Sequence, residues 1–365
     1  MFTHFDFDQR PLVVIWEMTR ACDLACFHCR ASADPVCKPG ELSTEEARKL
    51  IRDIAALKPP IFVMTGGDPL KRADVYELVS YAAAYGLRPA LTPSATPLLT
   101  RQAVRKLKEA GLSRLAISLD GPTAEIHDTF RGVPGSFAKT LEAIRWANDA
   151  GLPIQVNTSL TKRNLVHLEA MADLLRQQRI VLWSVFCLVP TGRGQQSDLP
   201  TGEEFEDAFA RLYRLSQTLP FRVKTTEGPH YRRYLLQQEH TERPEAFAFT
   251  ERERAQPWVN DGKGFVFISH MGDVCPSGFF PVSAGNVKRT ALSWIYRNAP
   301  LFKDLRDSSK LKGKCKVCEF REVCGGSRAR AYAVTGDAFA QEPCCVYQPL
   351  SLRALENEAV AHLTR

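Results

Sequence analysis

Short apolar runs rich in β-forming residues alternate with amphipathic helical segments through the first half of the chain. Six runs stand between Leu12 and Val189, and they read LVVIWEM, IFVMTGG, LRPALTPS, RLAISLDG, PIQVNTSL and IVLWSVFCLV. The intervening segment STEEARKLIRDIAAL begins with Ser43 or Thr44 as a helix cap and has Glu46 in its first turn. Strands that alternate with helices pair in parallel through right-handed crossovers. The pattern predicts an α/β fold, either a partial barrel or a doubly wound sheet.

Polar or glycine-rich segments follow the first four of these runs. Three cysteines come after the first run, TGGDPL after the second, LTPSATP after the third and SLDGP after the fourth. In both architectures, ligands bind at the carboxyl ends of the strands. We therefore expect these four segments to converge on one mouth of the fold.

The second half of the chain has a different pattern. After about Pro200 helical segments are followed by the charged stretch EHTERPEAFAFTERERAQPWVNDGKG, a short β-like region GFVFISHMGDVCPSGFFP and a cysteine-rich tail. A chain of 365 residues with 44% apolar residues is large enough for a large and a small domain. We predict a core over residues 1–200, a helical and charged connecting region over 201–262, and a smaller domain over 263–365.

The composition indicates the cellular location of the protein and the kinds of partner that it binds. No apolar stretch reaches the roughly 18 residues that a membrane span needs, and the first ten residues, MFTHFDFDQR, do not resemble a secretion signal. We expect a cytoplasmic protein without a membrane partner. The net charge of +7 is spread along the chain, so it suits an anionic substrate without indicating nucleic acid.

The segment TRACDLACFHC places Cys22, Cys26 and Cys29 within eight positions. Disulfides are rare in the cytoplasm, where clustered cysteines more often bind metal or perform redox chemistry. A structural zinc site needs four ligands, and no fourth ligand stands nearby at a usual spacing. A metal centre held by three cysteines leaves one coordination position open for a substrate or cofactor.

This CxxxCxxC spacing resembles that of the radical S-adenosylmethionine (SAM) enzymes. The resemblance implies a partial (βα)6 TIM-like barrel in which Cys22, Cys26 and Cys29 bind a [4Fe–4S] cluster and SAM chelates the remaining iron. The TGGDP turn resembles a SAM-binding motif of the family, with Asp in place of the commoner Glu; its glycines would let the backbone approach SAM closely. The residues that the resemblance places near SAM are Gly66, Gly67, Asp68, Pro69, Ser94, Ser118, Asp120, Arg131 and Asn157.

Two of these expectations have alternatives. Arg131 can pair with the SAM carboxylate through its bidentate guanidinium, or it can simply hold its own loop. Serine, asparagine and glycine are common at turns, so each of those positions taken singly has a structural explanation as well. The turn LVPTGRG after the sixth run is expected beside the ribose or adenine.

A second cysteine group lies in the tail, at Cys315, Cys318 and Cys324, and is followed by the adjacent pair Cys344 and Cys345. Its spacing alone also allows a zinc ribbon. The segment resembles the SPASM or twitch-type extensions of radical SAM enzymes. That resemblance implies an auxiliary [4Fe–4S] cluster held by the first three cysteines and Cys345, with Cys344 as the alternate. The remaining Cys37, Cys187 and Cys275 are expected to be buried thiols.

The segments CGGSRARAYAVTGD, PSGFFPVSAGNVK and TRACDLACFHC look most similar to the radical SAM enzymes of alternative haem biosynthesis and dissimilatory haem formation. The resemblance implies an oxidoreductase that cleaves SAM reductively and decarboxylates propionates of an iron-coproporphyrin-type tetrapyrrole. It also implies a reductant protein such as flavodoxin or ferredoxin. Candidate groups for binding the substrate carboxylates are His230, Tyr231, Arg232, Arg233, Arg328 and Arg330. An ordinary basic helix face explains these residues equally well.

Two other functions fit the same cysteine pattern. SPASM-type maturases form crosslinks or thioethers in ribosomally made peptides, and they often have an N-terminal peptide-recognition domain. We do not expect that domain here because the first strand run begins at Leu12. The chain could also be a non-catalytic zinc-binding scaffold, which iron and sulfide analysis would distinguish from the enzyme.

Overall fold

The computed structural model describes residues 5–241 and 258–353. The described residues form nine β-strands, and β1 to β6 coincide with the six predicted runs. The strands are β1 (Val13–Glu17), β2 (Ile61–Thr65), β3 (Pro89–Leu91), β4 (Arg114–Ser118), β5 (Ile154–Leu160), β6 (Leu182–Cys187), β7 (Arg222–Thr226), β8 (Phe265–Ile268) and β9 (Val274–Cys275).

Amphipathic helices connect the strands. Ser43 caps the first of them in a capping box, since its hydroxyl accepts from the Glu46 amide and the Glu46 carboxylate accepts from the Ser43 amide. The α-helices of the described residues are α1 (Thr44–Leu57), α2 (Val75–Ala84), α3 (Arg101–Glu109), α4 (Ala124–Arg131), α5 (Ser136–Asp149), α6 (Leu168–Arg176), α7 (Gly202–Ser216), α8 (His230–Thr241), α9 (Leu292–Asn298), α10 (Pro300–Arg306), α11 (Gly313–Val317) and α12 (Arg328–Thr335).

All nine strands belong to one curled sheet with the order β7-β6-β5-β4-β3-β2-β1-β8-β9. Each of the first six strands pairs in parallel with the next, and β1 also pairs in parallel with β8. Only β8 and β9 pair antiparallel. A doubly wound sheet would reverse its strand order at a switch point. The uninterrupted order instead belongs to a barrel-type sheet, so the structure is the predicted partial barrel rather than a doubly wound fold.

The hydrophobic core lies between the outer face of the sheet and the helices. Trp16 and Ile117 are fully buried there, as are Ile51 of α1 and Leu107 of α3. Side chains at alternate positions point to the other face, where Ile15, for example, is only half-buried. The barrel therefore has an open lumen whose upper rim is formed by the carboxyl ends of β1 to β6.

Three strands lie outside the predicted core of residues 1–200. Strand β7 falls in the predicted connecting region, and β8 and β9 fall in the predicted C-terminal domain, yet all three extend the main sheet. Most of the predicted charged stretch, residues 242–257, lies outside the described residues. Among the described helices, none is both long enough and apolar enough to cross a membrane.

Candidate active site

The three N-terminal cysteines lie on a loop, residues 18–34, that leaves the carboxyl end of β1; it is called the cysteine loop below. Cys22 and Cys26 are buried and Cys29 is half-buried. All cysteines of the chain are free thiols. Burial raises the pKa of both Cys22 and Cys26, so the protein surroundings alone keep them protonated. A bound metal would remove those protons, because coordinated thiols are deprotonated.

The predicted glycine turn after β2 packs directly on this loop. The Gly67 amide donates to the Thr19 carbonyl at 2.8 Å, and the Asp68 amide donates to the Ala21 carbonyl at 2.6 Å. A Cβ on Gly67 would lie 2.4 Å from the Ala21 oxygen, and one on Gly66 would lie 2.6 Å from the Thr19 oxygen. These two glycines are thus required by close approach to the cysteine loop, and their close approach to SAM stays a prediction.

The carboxylate of Asp68 holds the turns after β2 and β3 together. It is fully buried and accepts from the Thr96 hydroxyl at 2.8 Å and from the Leu70 amide at 3.1 Å. Burial raises its pKa, although these hydrogen bonds oppose the rise. Pro69, also buried, begins the short helical turn that follows. The geometry gives the Asp68 side chain a bracing role at the rim of the lumen.

Ser94, at the end of β3, connects the glycine turn to the first cysteine. Its hydroxyl donates to the Gly67 carbonyl at 3.1 Å and lies 3.3 Å from Sγ of Cys22. The segments after β1, β2 and β3 therefore meet at this point, as the convergence of their polar signals predicted.

Asp120 and Arg131 form a buried ion pair against the second cysteine. Nη1 of Arg131 donates to Sγ of Cys26 at 3.6 Å, and Nη2 contacts the Asp120 carboxylate. Burial opposes ionisation of both groups, but each partner offsets it: Arg131 lowers the pKa of Asp120, and Asp120 raises that of Arg131. The contacts show the role within the protein, and the pairing of Arg131 with the SAM carboxylate stays a prediction.

Ser118 and Asn157 lie on neighbouring strands and are in register with one another. Both are half-buried on the lumen face. The Asn157 side-chain oxygen accepts from Nε2 of Gln155 at 2.7 Å, which leaves its amide nitrogen directed to other partners. These two residues form the polar part of the lumen just below the cysteine loop.

The turn after β6 also contacts the cysteine loop, and sequence reasoning missed this role. Nε of Arg193 donates to the Cys26 carbonyl at 2.8 Å, and its amide donates to the Cys29 carbonyl at 2.9 Å. A Cβ on Gly192 would lie 2.2 Å from the Arg30 carbonyl oxygen. We had expected this TGRG turn beside the adenine or ribose; its glycine instead allows close packing of two backbones.

A third anchor joins the cysteine loop to the segment after β8. The Glu17 carboxylate lies 3.0 Å from Nη1 of Arg30 and 2.7 Å from Nδ1 of His270. Arg30 also stacks over the ring of Phe267, with 4.6 Å between its Cζ atom and the ring centroid. Glu17 and His270 are 253 positions apart in the sequence, so no local signal could have paired them.

One independent observation supports the binding of a cluster and SAM at the cysteine loop. Around it, within the described residues, several buried polar atoms have no hydrogen-bond partner, including Nδ1 of His28, Nε of Arg131 and Nη2 of Arg193. Buried polar atoms normally have partners. Their grouping beside three thiols is consistent with a polar ligand at the mouth of the barrel.

The C-terminal cysteines surround a pocket between α8, α11 and the tail. Cys315, Cys318, Cys324 and Cys345 all line it. Cys344 does not, and packs into the main core instead. In the described part of the chain, no three His, Cys, Asp or Glu side chains are placed to hold a single metal ion. Four cysteines around one pocket are the ligand set of a [4Fe–4S] cluster.

The remaining cysteines lie outside both sites. Cys187 and Cys275 are buried, as predicted. Burial raises the pKa of each to about 12. The prediction for Cys37 was wrong, because this residue is exposed. It lies on the surface segment between the cysteine loop and α1, 3.6 Å from the Thr19 hydroxyl.

The predicted substrate-binding arginines of α12 are engaged by protein groups. Arg330 pairs with Glu342, and both are fully buried. Arg328 donates to the carbonyls of Ala338 and Ala340 at 2.9 and 2.8 Å. Both positive charges are therefore held inside the protein, where they stabilise the tail that includes Cys345.

The predicted substrate residues of α8 are likewise largely internal. Arg233 pairs with Glu206, and Arg232 donates to the carbonyls of Val259 and Val323. His230 and Tyr231 are buried against the aromatic rings of α7. Burial lowers the pKa of His230 to about 3. The geometry gives the substrate role no support at these positions.

The chain matches one family model and is similar to two kinds of named enzymes. Residues 16–175 match the family model described as the Radical SAM superfamily. An "AdoMet-dependent heme synthase" of Methanosarcina barkeri is 42% identical over 93% of this chain and 97% of its own length. One of the same name from Oleidesulfovibrio alaskensis is 41% identical over 95% and 90%. An "Fe-coproporphyrin III synthase" of Methanosarcina barkeri is 32% identical over 93% and 89%.

Two groups of solved structures share the fold at low identity. Streptococcus suis SuiB bound to S-adenosylmethionine superposes with a TM-score of 0.72 at 17% identity, covering 93% of this chain and 78% of that one. Native anSMEcpe with bound AdoMet gives a TM-score of 0.68 at 16% identity, covering 92% and 94%. Both support the partial-barrel architecture.

Proposed function

This chain belongs to the radical SAM superfamily, and we propose that it catalyses the oxidative decarboxylation of propionate side chains of an iron-coproporphyrin-type tetrapyrrole to vinyl groups. The observation that supports the proposal most strongly is the 42% identity over 93% of the chain to an AdoMet-dependent haem synthase. The enzyme requires a [4Fe–4S] cluster and SAM, and it has an auxiliary cluster. When bound, the first cluster and SAM supply a deoxyadenosyl radical.

The cysteine loop is proposed to hold the catalytic cluster through Cys22, Cys26 and Cys29. The rim residues then divide into two sets. Those that position the loop are Gly66, Gly67, Asp68, Pro69, Ser94, Asp120 and Arg131. Ser118 and Asn157, which face the lumen, are proposed to contact SAM directly. Through this arrangement the protein orients SAM below the loop and excludes water from it.

The proposed reaction balances in atoms and electrons. The radical removes a hydrogen atom from the β-carbon of a propionate and becomes deoxyadenosine. The bond between the α-carbon and the carboxylate then breaks, carbon dioxide leaves, and a vinyl group forms. One electron remains for each propionate and needs an acceptor. The pocket of Cys315, Cys318, Cys324 and Cys345 would hold a group suited to that role.

The reductant protein is proposed to dock beside this pocket. Its rim exposes Lys316 and Arg321, and Lys314 donates to the Cys345 carbonyl. A basic rim attracts an acidic partner at long range, which suits small electron carriers such as flavodoxin or ferredoxin.

The free state of all eleven cysteines suits the reducing cytoplasm, where we place the protein. We also propose that residues 263–365 form a smaller domain whose first two strands, β8 and β9, extend the barrel sheet.

A substrate assay tests the proposal. Anaerobically reconstituted protein is incubated with SAM, a strong reductant and iron-coproporphyrin III, and the porphyrin products are followed by mass spectrometry. We expect the stepwise loss of two carboxyl groups, with deoxyadenosine formed in parallel. Deoxyadenosine without any change in the porphyrin would exclude this substrate while leaving the radical SAM class intact.

A peptide substrate is the second candidate. A "PqqA peptide cyclase" of Rhodopseudomonas palustris is 30% identical over 95% of this chain. The stronger similarity to haem synthases favours the tetrapyrrole. Crosslinking of a co-expressed peptide, together with an unchanged porphyrin in the assay above, would favour the maturase instead.

A further inference from the structure

The lumen of the barrel contains three cations that the chemistry described so far does not use. Arg222 and Lys224 lie at alternate positions of β7 and therefore share its lumen face. Arg114, at the start of β4, is half-buried and lies on the same face of its strand as Ser118. We call Arg114, Arg222 and Lys224 together the cationic wall.

The cationic wall is continuous with the region where SAM is proposed to bind. Lys224 is in register with Ser184, and Ser184 with Asn157. Asn157 is in register with Ser118 on β4. Lys224 thus ends a single row of lumen side chains whose other end holds the two proposed SAM contacts. A molecule held by Lys224 would lie next to SAM.

The cationic wall has no carboxylate partner among residues 5–241 and 258–353. Within the described residues, no Asp or Glu forms an ion pair with Arg114, Arg222 or Lys224, although many other arginines and lysines are paired. Arg131 and Arg330, by contrast, each pair with a buried carboxylate. Grouped cations without counter-charges are costly to maintain, unless an anion from outside the protein binds between them.

The three cations are close enough to perturb one another. Burial, then Arg114, Arg222 and Arg232 lower the pKa of Lys224 to about 8. Burial, then Arg88 and Arg222, lower the pKa of Arg114. Lys224 nevertheless reaches solvent. It therefore lies in an open cavity with protein on most sides and not in packed core.

The opposite side of the lumen is apolar. A second register row runs from Ile15 through Val63 and Ala90 to Arg114. The first three of these residues are half-buried, and Ile61 below them is 41% exposed. Together they form an accessible apolar surface facing the cations. The lumen is therefore amphipathic, with its charge on β4 and β7 and its apolar surface on β1 to β3.

We propose that this lumen is the substrate site, in which Arg114, Arg222 and Lys224 bind carboxylates of a flat, polycarboxylated macrocycle whose ring lies on the apolar surface of β1 to β3. The inference rests on the proposed function and adds the residues that recognise the substrate. SAM has a single carboxylate, so three unpaired cations exceed what it needs. A tetrapyrrole with several propionates around an apolar ring matches both surfaces.

Direct binding tests the assignment without turnover. Metal-free coproporphyrin III is titrated into the anaerobic holoenzyme, and its dissociation constant is read from the Soret absorbance. Lys224→Gln and Arg222→Gln should each weaken binding about tenfold, which is the usual loss for one charge-assisted contact. The loss should shrink as salt is raised. Arg145→Gln on the outer surface of α5, where the side chain is 63% exposed, is the matched control and should bind as wild type does.

A pH series separates charge recognition from a general disturbance of the barrel. For the wild type, affinity should fall as pH rises through about 8, because Lys224 then loses its proton. Arg114, Arg222 and Arg232, which face it, stay charged in that range. Lys224→Arg should bind coproporphyrin and lack this decline, since arginine does not titrate there.

The possible failures are distinguishable. Wild-type enzyme that binds and decarboxylates the porphyrin, with Lys224→Gln and Arg222→Gln variants of unchanged affinity, would overturn the inference and leave the proposed function standing. A matched loss of affinity for SAM in the same variants would also overturn it, since the cations would then serve the cofactor. Wild-type enzyme that does not bind coproporphyrin III contradicts the proposed function, and the lumen assignment with it.

Discussion

Nη1 of Arg131 lies 3.6 Å from Sγ of Cys26, and the same guanidinium is paired with the fully buried carboxylate of Asp120. A cation beside a cluster sulfur stabilises the reduced, more negative state of an iron–sulfur cluster. Hydrogen bonds to the sulfurs act in the same direction. This contact places Arg131 where it can tune the cluster that the cysteine loop is proposed to hold.

Replacing Arg131 should lower the reduction potential of that cluster. Arg131→Gln alone would leave Asp120 unpaired and cost about 3–5 kcal/mol of stability, so the informative variant is the double change with Asp120→Asn. Its potential should fall by on the order of tens of millivolts in an EPR-monitored redox titration. The Asp120→Asn single variant keeps the cation but leaves it unpaired, so it carries a similar cost in stability and should have a higher potential than the double variant. Equal potentials in the double variant and the wild type would refute the role.

The two adjacent cysteines of the tail provide a matched pair of variants. Cys345 lines the pocket with Cys315, Cys318 and Cys324, whereas Cys344 packs in the main core. Cys345→Ser should lower the iron content of reconstituted protein from about eight atoms to about four. Cys344→Ser should retain both clusters. The opposite outcome would identify Cys344 as the fourth ligand.

Gly67 tests the close approach between the glycine turn and the cysteine loop. A Cβ at this position would lie 2.4 Å from the Ala21 carbonyl oxygen, and neither backbone can move without displacing the loop. Gly67→Ala should therefore lose iron at the N-terminal site and spare the auxiliary one. Gly135→Ala is the control, since no atom lies within 4 Å of its added Cβ. Its φ of +83° makes it cost only about 1–2 kcal/mol. Full iron content in Gly67→Ala would contradict this reading.

His127 makes the stability of the barrel sensitive to acid. Its Nδ1 accepts from the Asp120 amide at 3.0 Å, and burial, then Arg131, lower its pKa to about 4. The unfolded chain, with a histidine pKa of about 6.5, binds the proton first as pH falls. Neutral His127 therefore contributes fully to the free energy of unfolding above about pH 6.5, and this contribution is lost progressively down to about pH 4.

At pH 5.5 the protonation of His127 in the unfolded chain should lower the free energy of unfolding by about 1.4 kcal/mol. It can be measured as the difference in thermal midpoint between the holoenzyme and the His127→Asn variant at pH 7.5 and 5.5. Asparagine keeps an acceptor near the position of Nδ1 but does not titrate. The wild type should lose more stability than the variant over this range, and parallel losses would show that His127 is not the group responsible.

The sequence predicted the features of this fold that rest on local pattern. Strands β1 to β6 were visible as apolar runs, and Ser43 as a helix cap with Glu46. Strand β7 was missed because its lumen positions are Arg222 and Lys224, which made the segment look like polar connecting chain. Those same side chains now form most of the cationic wall. A strand that faces a charged cavity does not display the apolar pattern by which strands are recognised.

The site was predictable where ligand spacing is local and unpredictable where partners are distant. The CxxxCxxC spacing identified the cysteine loop, but Arg193 and His270 contact it from far along the chain. Arg330 looked like a free cation because nothing in its own segment shows that Glu342 neutralises it. Pairings of this kind depend on tertiary structure, so sequence reasoning could not show that these arginines already have partners within the protein.

The origin of the hydrogen atom in deoxyadenosine tests the central claim most directly. Iron-coproporphyrin III labelled with deuterium at the β-carbons of its propionates is incubated with reconstituted enzyme, SAM and reductant, and the deoxyadenosine is examined by mass spectrometry. The proposed reaction predicts one deuterium in deoxyadenosine for each vinyl group formed. Unlabelled deoxyadenosine accompanying vinyl formation, or labelled substrate recovered unchanged while SAM is consumed, would contradict it.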